Sequence, residues 1–418
     1  MLPLIALEGE PFEQGFTHGL RAQERVQHNL RVYFDRFWRE GRISRAEVLK
    51  RAEKYQSAIQ AQNPAYAETM RGIAEGAACD LREIVALNVR YEILYHQFTA
   101  HALTDGCTSF ALLPEKTSNK HLLLAENWDW IPQVQGAVLH VREEALEILC
   151  FTEAGIAGGK IGLNSVGLGL AINGLISTDD DWSRLATPFH VRCYEILRTK
   201  NVAEAAQIVT KGQRACSANF LLAQVDDQVV DIEAAPLATR TLHPRSGALP
   251  HTNHFLEPGE LGVVEPPSEK RPHSYHRLQC LQQLLSAERS LALEDAKAYL
   301  RDHDGHPYSI CRHIDEEEPP EEHYQTVTSV VMDLHERAMW ISDGPPCENE
   351  YQELRQLAVG KLGKSFAPDQ IKFVKELPKT RNAKILRRAI RAIALGKEPG
   401  DLSNLENPQA LEEIKRAV

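Results

Sequence analysis

Apolar side chains recur at intervals of three and four through residues 10–100, a spacing that predicts a succession of amphipathic helices. Phe12, Phe16 and Leu20 follow it among Glu13, Gln14 and His18, and Tyr33, Phe34, Phe37 and Trp38 cluster on the next helix. The pattern changes at Asp105-Gly106. Strand-like segments follow at Thr108–Leu113, His121–Asn127, Ala137–Val141 and Leu146–Thr152, separated by turn residues such as Pro114 to Asn119. Ile161–Asn164 and Leu168–Ile172 flank Ser165-Val166-Gly167 as a predicted hairpin. Helical spacing returns at Pro188–Arg198 and Val202–Gly212, then strand spacing at Asn219–Gln224 and Val229–Ala234. Helices are predicted at Pro272–Ser286 and Leu293–Arg301, and a last strand pair at Thr326–Asp333 and Ala338–Ser342. Runs of strands alternating with runs of helices predict an α+β fold. After about Pro346 the chain reads as a helical tail. Within it Asn382–Leu395 is basic and amphipathic, with Ile385, Leu386, Ala389, Ile390 and Ile393 opposite Lys384, Arg387, Arg388 and Arg391. It reads as a helix docked on the rest of the chain with a solvated basic face, membrane-surface binding being the lesser option.

The chain has 418 residues, 43% apolar and 25% charged, enough for a substantial core. A net charge of -11 argues against a nucleic-acid partner, because phosphate contacts need a basic face. Met1 to Ala6 is followed at once by Glu8 and Glu10 and does not read as a secretory signal. No run approaches the ~20 apolar residues of a membrane helix. A soluble, cytoplasmic protein with no membrane partner is expected.

The eight cysteines, Cys79, Cys107, Cys150, Cys193, Cys216, Cys280, Cys311 and Cys347, are scattered without a C-x-x-C pair. That excludes a zinc ribbon and argues against a disulfide framework. Most read as small buried hydrophobes. Gly167-x-Gly169 is followed by Ile172 where a dinucleotide fingerprint needs glycine, and Lys160 is followed by Ile161 where a phosphate loop needs Ser or Thr. His251 and His254 lie three apart, but they follow Pro250 in an extended segment without the H-E-x-x-H pattern. No metal and no cofactor is expected.

Asp105-Gly106-Cys107-Thr108 is the most informative stretch. A helical region ends, glycine follows, and cysteine opens a strand. Gly106 leaves its carbonyl open to attack, and the Cys107 thiol can reach that carbonyl through a five-membered ring. Hydrolysis of the resulting thioester would free the α-amine of Cys107. With reference pKa values of about 7.7–8.0 for that amine and about 8.5 for the thiol, the amine can act as base for its own side chain. Taken alone, a Gly-Cys pair is a weak signal, and a buried strand cysteine is its commoner meaning.

Asp105-Gly106-Cys107-Thr108 followed by Asn127-Trp128-Asp129 resembles the isopenicillin N acyltransferase family, the acyl-CoA:aminopenicillanic acid acyltransferases, which are N-terminal-nucleophile enzymes. The resemblance continues through Gly9-x-Pro11-Phe12-x-x-Gly15-x-x-His18-Gly19, Thr152-Glu153-Ala154-Gly155 and Gly162-Leu163-Asn164-Ser165-Val166-Gly167. It takes in His251-Thr252-Asn253-His254 and His306-Pro307-Tyr308-Ser309-Ile310-Cys311-Arg312, and spans roughly residues 5–345. It implies a four-layer αββα sandwich and self-cleavage between Gly106 and Cys107 into two chains that stay associated. Residues 1–106 would form the small, mainly helical chain, 107–345 the catalytic core, and 346–418 a helical C-terminal extension.

The resemblance also assigns roles. Cys107 is the nucleophile. Asn253 matches an asparagine that helps bind the tetrahedral oxyanion, or else it caps a loop. Asp129 matches an aspartate that orients the terminal ammonium, or else it is a turn residue before Ile131-Pro132. Ser217, in Cys216-Ser217-Ala218-Asn219, matches a serine of maturation, or else it is a strand-edge hydroxyl. Arg312 binds a substrate carboxylate or holds a loop by a salt bridge. One departure stands out: a Ser-Arg pair of the penicillin enzyme is replaced by Glu322-His323-Tyr324. The expected function is an N-terminal cysteine amidohydrolase or acyltransferase on small amides or acyl thioesters, working through a thioester acyl-enzyme. The alternatives are an acyl-CoA-dependent N-acyltransferase of the penicillin-biosynthetic type, and an uncleaved, silent binding protein on the same fold.

Overall fold

The computed structural model describes residues 1–98, 106–265, 267, 271–320, 323–355, 374, 376–380, 384–394, 397–400, 402 and 404–417. Asp105, Glu322, Asn382 and Leu395, each used above, lie outside the described residues. The chain divides into two compact units, Met1–Gln356 and Leu357–Val418.

The first unit opens with a short strand and six helices: β1 (Leu4–Leu7), then α1 (Pro11–Arg21), α2 (Gln23–Arg39), α3 (Arg45–Gln62), α4 (Pro64–Gly76), α5 (Leu81–Asn88) and α6 (Arg90–Phe98). Local chemistry sets several starts. Ser44 and Asn63 accept the N–H of Glu47 and Tyr66 at the heads of α3 and α4, and Asp80 with Glu83 makes a reciprocal cap on α5. α1 and α4 pack backbone to backbone through glycines. A Cβ on Gly15 would meet Thr69 O at 2.0 Å, and one on Gly72 would meet Phe12 O at 2.1 Å. This close approach explains the glycines of the Gly15-x-x-His18-Gly19 motif.

The strands after the helices are β2 (Thr108–Leu112), β3 (Leu123–Trp130), β4 (Gly136–Glu143), β5 (Leu146–Glu153), β6 (Ile161–Asn164), β7 (Leu168–Gly174), β8 (Ala218–Gln224), β9 (Gln228–Ala234), β10 (Thr239–Leu242), β11 (Ala248–His251), β12 (Gln325–Asp333), β13 (Ala338–Ile341) and β14 (Gln352–Arg355). They form an eight-stranded sheet ordered β1-β4-β5-β6-β7-β8-β9-β10 and a six-stranded sheet ordered β11-β2-β3-β12-β13-β14. Side-chain alternation stacks the two sheets face to face. Ala111, Leu124, Val330 and Met332 join the main core with Leu170 and Leu222 of the other sheet. Phe110, Leu112, Leu123 and Val331 point the opposite way, into a second core with Leu281, Leu285 and Ala296 of α10 (Pro272–Leu285) and α11 (Leu293–Tyr299). Helices α7 (Phe189–Ile196) and α8 (Val202–Thr210) lie on the eight-stranded sheet, α8 against β8 and β9, and a short α9 (Pro258–Leu261) follows β11. The architecture is the expected α+β sandwich of layers αββα.

Four strands escaped the sequence pattern: β1, β10, β11 and β14, each four residues long. β14 lies in the stretch read as the start of a helical tail, where it pairs with β13. β3 runs to Trp130, so Asp129 sits inside a strand paired with Thr326, and the turn reading is corrected. In the second unit, Arg387–Ala394 is helical, and Ala389 and Ile393 pack on Leu411 and Ile414 of Gln409–Ala417. Ile385, assigned to its apolar side, is 41% exposed. No described helix is long and apolar enough to cross a membrane.

Candidate active site

Strand order brings the sequence candidates to one end of the six-stranded sheet. Cys107 immediately precedes β2, Asn253 follows β11 by two residues, and Asp129 lies near the end of β3. β2 is flanked by β11 and β3, with His251 opposite Ser109 and Asn127 opposite Thr108. Facing them from the other sheet are Ile172 and Gly174 at the end of β7 and Lys160 just before β6. Together they line a cavity of about 30 Å³, whose walls also include Gly106, Trp128, Trp130, Arg90, Tyr91, Phe189 and Tyr324.

Gly106 and Cys107 are joined in this structure, and their peptide is held from both sides. The Gly106 N–H donates to Asn253 Oδ1 at 3.0 Å. Arg277 Nη1 donates to Gly106 O at 2.9 Å, Cys107 O at 2.7 Å and Thr108 Oγ1 at 2.7 Å. Arg277 Nη2 also reaches Asn253 Oδ1 at 3.1 Å. Two donors on that oxygen fix the orientation of the amide, whose Nδ2 donates to Gly174 O at 3.1 Å. Asn253 therefore turns its carbonyl oxygen to Gly106 in the uncut chain.

The Cys107 thiol is buried, with Sγ 3.9 Å from Asp129 O. Burial pushes its pKa up to about 12, the charges of Glu126 and Asp129 add to the rise, and the Asp129 backbone contact and Arg277 oppose it. Asp129 Oδ1 accepts from Thr326 Oγ1 at 2.7 Å, and that oxygen in turn accepts the Arg312 N–H at 3.0 Å. Burial likewise raises the Glu126 carboxyl well above the usual range. Its Oε2 accepts the Ile172 N–H at 2.9 Å.

Sequence reasoning missed three cationic groups here: Arg277, Arg90 and Lys160. Lys160 Nζ contacts Glu153 Oε1 at 2.5 Å and sits 3.1 Å from the centre of the Trp128 ring. Arg90 and the Tyr33 hydroxyl also bond Glu153. Burial lowers the Lys160 ammonium to about 8 against the pull of Glu153. For Glu153 burial opposes ionisation, but Arg90 and Lys160 outweigh it and hold the carboxyl below the usual range. The only hint in sequence was that Glu153 and Lys160 flank a turn between two strands. The replaced Ser-Arg position contributes Tyr324 to the wall, and the guanidinium on that wall comes from Arg90 of α6.

Ser217 and Arg312 do not line the cavity among the described residues. Ser217 Oγ donates to Asp180 Oδ1 at 2.7 Å and lies 3.0 Å from Ser177 Oγ, beside an Asp180 carboxyl that burial raises to about 7. The Arg312 guanidinium lies over the rings of Tyr308 and Tyr324, at 5.1 and 5.3 Å, so it bears on the cavity through Tyr324. His251 Nε2 meets Glu233 at 3.2 Å, and His254 Nδ1 meets Ser274 Oγ at 2.8 Å.

Comparison with known proteins places these features in context. The acyltransferase of Emericella nidulans described as the 40 kDa form of acyl-coenzyme A:6-aminopenicillanic-acid-acyltransferase is 28% identical over 318 residues, covering 74% of this chain and 84% of that protein. Propionate–CoA ligase of Salmonella typhimurium is 36% identical over 78 residues, 19% of this chain and 12% of the ligase. Among solved structures, an N-acylethanolamine-hydrolyzing acid amidase ortholog of Caenorhabditis elegans aligns with a TM-score of 0.40 and 13% identity, over 55% of this chain and 93% of that one. The family described as acyl-coenzyme A:6-aminopenicillanic acid acyl-transferase matches residues 115–347, starting just after the Cys107 strand. With more than half of its length so matched, the chain belongs to the acyl-coenzyme A:6-aminopenicillanic acid acyl-transferase family.

Proposed function

We propose that this enzyme is a self-activating N-terminal cysteine amidohydrolase or acyltransferase. The observation that carries the reading is the clamped Gly106–Cys107 peptide beside a buried thiol. The Cys107 thiolate attacks the Gly106 carbonyl carbon, and the oxyanion forms on the oxygen that Arg277 already holds. The C–N bond then breaks, the nitrogen takes a proton and becomes the α-amine of Cys107, and Gly106 is left as a thioester on Sγ. Water hydrolyses that thioester to a Gly106 carboxylate and a free thiol.

The new amine then serves as the base for substrate turnover. It takes the thiol proton, Sγ attacks an amide or thioester carbonyl, and the amine protonates the leaving group. Water or an acceptor amine releases the acyl group. Asp129 orients the ammonium from the neighbouring strand, and Asn253 is the candidate oxyanion donor once Gly106 has gone. A 30 Å³ cavity holds little more than about one water, far below the roughly 300 Å³ of a small-molecule pocket. Gly106 forms part of its wall, so withdrawal of that residue after the cut enlarges the site. Ser217 acts in maturation and Arg312 supports substrate binding through Tyr324 in this reading. The N-terminal piece stays attached after the cut, because β1 pairs with β4 and Val26, Tyr33 and Ile84 share the main core. A reducing, cytoplasmic setting keeps the Cys107 thiol available.

A second reading takes an acyl-coenzyme A thioester as acyl donor. It is favoured by two different kinds of relative, a penicillin-type acyltransferase and a ligase, whose names both carry coenzyme A. The test incubates the matured enzyme with a panel of N-acyl amines and acyl-CoAs and reads the acyl group on Cys107 by mass. Acyl-Cys107 from amides supports the first reading, acyl-Cys107 from acyl-CoA alone supports the second, and an unmodified Cys107 with every substrate sinks both.

A further inference from the structure

Far along the chain from Cys107, four metal-ligating side chains converge: His303, Cys311, His313 and Cys347. One ligand atom from each lies within 4.8 Å of all the others. Cys311 Sγ is 3.5 Å from Cys347 Sγ. His313 Nε2 is 3.6 Å from Cys311 Sγ, 3.3 Å from Cys347 Sγ and 3.1 Å from His303 Nε2. Ordinary packing gives no reason for two thiols and two imidazoles to aim their heteroatoms at one point.

The distances can be compared with a tetrahedron around zinc. With Zn–S near 2.3 Å and Zn–N near 2.0–2.1 Å, tetrahedral edges come to about 3.8 Å for S–S, about 3.5 Å for S–N and about 3.3 Å for N–N. Four of the six edges fall within about 0.3 Å of these values, and the two from His303 to the sulfurs lie within 4.8 Å. A disulfide between Cys311 and Cys347 fits less well, since an S–S bond is about 2.05 Å long. The next atoms out also suit a metal. His313 Nδ1 faces Glu348 Oε1 at 3.4 Å, the carboxylate–histidine arrangement that fixes a ligating ring. The fourth ligand comes from a different part of the chain: Cys347 lies between β13 and β14, whereas the other three precede β12.

We propose that His303, Cys311, His313 and Cys347 form a closed, structural Zn²⁺ site. Four protein ligands leave no open position, so the metal supplies no reacting water. It ties the segment before β12 to the turn after β13. That segment carries the Arg312 N–H, which bonds Thr326 Oγ1, which in turn bonds Asp129. The site thus braces the strand pair that holds Asp129 at the cavity. Scattered cysteines with no C-x-x-C spacing concealed it in sequence, and the expectation of no metal is revised on this geometry.

The test measures metal in the full-length protein, purified without chelator, by elemental mass spectrometry, and repeats it after stripping and reloading with Co²⁺. About one equivalent of zinc per chain is expected, and the cobalt form should show the strong visible bands and thiolate charge transfer of a tetrahedral Cys/His site. Cys347→Ser and His303→Ala, both at exposed positions, should lose the metal and the bands, and Cys79→Ser should keep them. Zinc-free protein that takes up neither metal overturns the proposal, as does binding unchanged by Cys347→Ser and His303→Ala together. A wild-type mass lower by two hydrogens, mapped to Cys311–Cys347, also overturns it and assigns a disulfide.

Discussion

Replacing Arg277 should stall maturation. Its guanidinium is fully buried and gives one nitrogen to the Gly106 carbonyl oxygen at 2.9 Å. When Sγ attacks, that oxygen becomes the oxyanion, so this contact strengthens as charge develops. Removing one such donor typically costs about 10²–10³ in rate, or roughly 3–4 kcal/mol. Arg277→Ala should therefore lengthen the half-life of the uncut chain by about that factor. Arg277→Lys keeps the charge but not the fork that also grips Cys107 O and Asn253 Oδ1, so it should fall between the two. The assay follows intact mass with time on the folded, monodisperse fraction, with thermal unfolding measured alongside. A folded Arg277→Ala protein that matures at the wild-type rate would refute the reasoning.

Three further outcomes follow from the same geometry. A thiol raised to about 12 is almost wholly protonated at pH 7, and its thiolate grows about tenfold per pH unit. Cleavage half-lives at pH 7, 8 and 9 should accordingly shorten about tenfold per step, and a plateau by pH 8 would count against thiolate attack in the buried state. Gly72→Ala gains up to about 1 kcal/mol in helix propensity but drives a Cβ to 2.1 Å from Phe12 O, so denaturant unfolding should show a net loss of about 1–3 kcal/mol. Glu153→Gln leaves Arg90 and Lys160 buried without their shared counter-charge, and a loss of about 3–5 kcal/mol at pH 7 is expected in the same measurement.

The strands that sequence pattern revealed carry their own apolar runs, the long β5 and β8 as well as the four-residue β6 and β13. β1 was invisible because Leu4–Leu7 becomes a strand only by pairing with Val138–Val141, more than a hundred residues away. The proposed nucleophile and its neighbours were legible because Cys107, Asp129 and Asn253 sit in short motifs with distinct residue types. Arg277 was not, since a single arginine between His276 and Leu278 on α10 belongs to no motif. Only the packing of α10 under β2 and β11 carries it to Gly106. Lys160 was weighed solely as a phosphate ligand, and its true setting, Glu153 beneath and Trp128 over it, needs both sheets. The four converging ligands His303, Cys311, His313 and Cys347 are likewise a product of tertiary structure.

The most direct test of the central claim is the intact mass of purified wild-type and Cys107→Ala protein after long incubation at neutral to mildly alkaline pH. The account predicts two wild-type fragments, one ending at Gly106 and one beginning at Cys107, and an intact Cys107→Ala chain. A wild-type chain that stays whole, or a Cys107→Ala chain cut at the same bond, would contradict it.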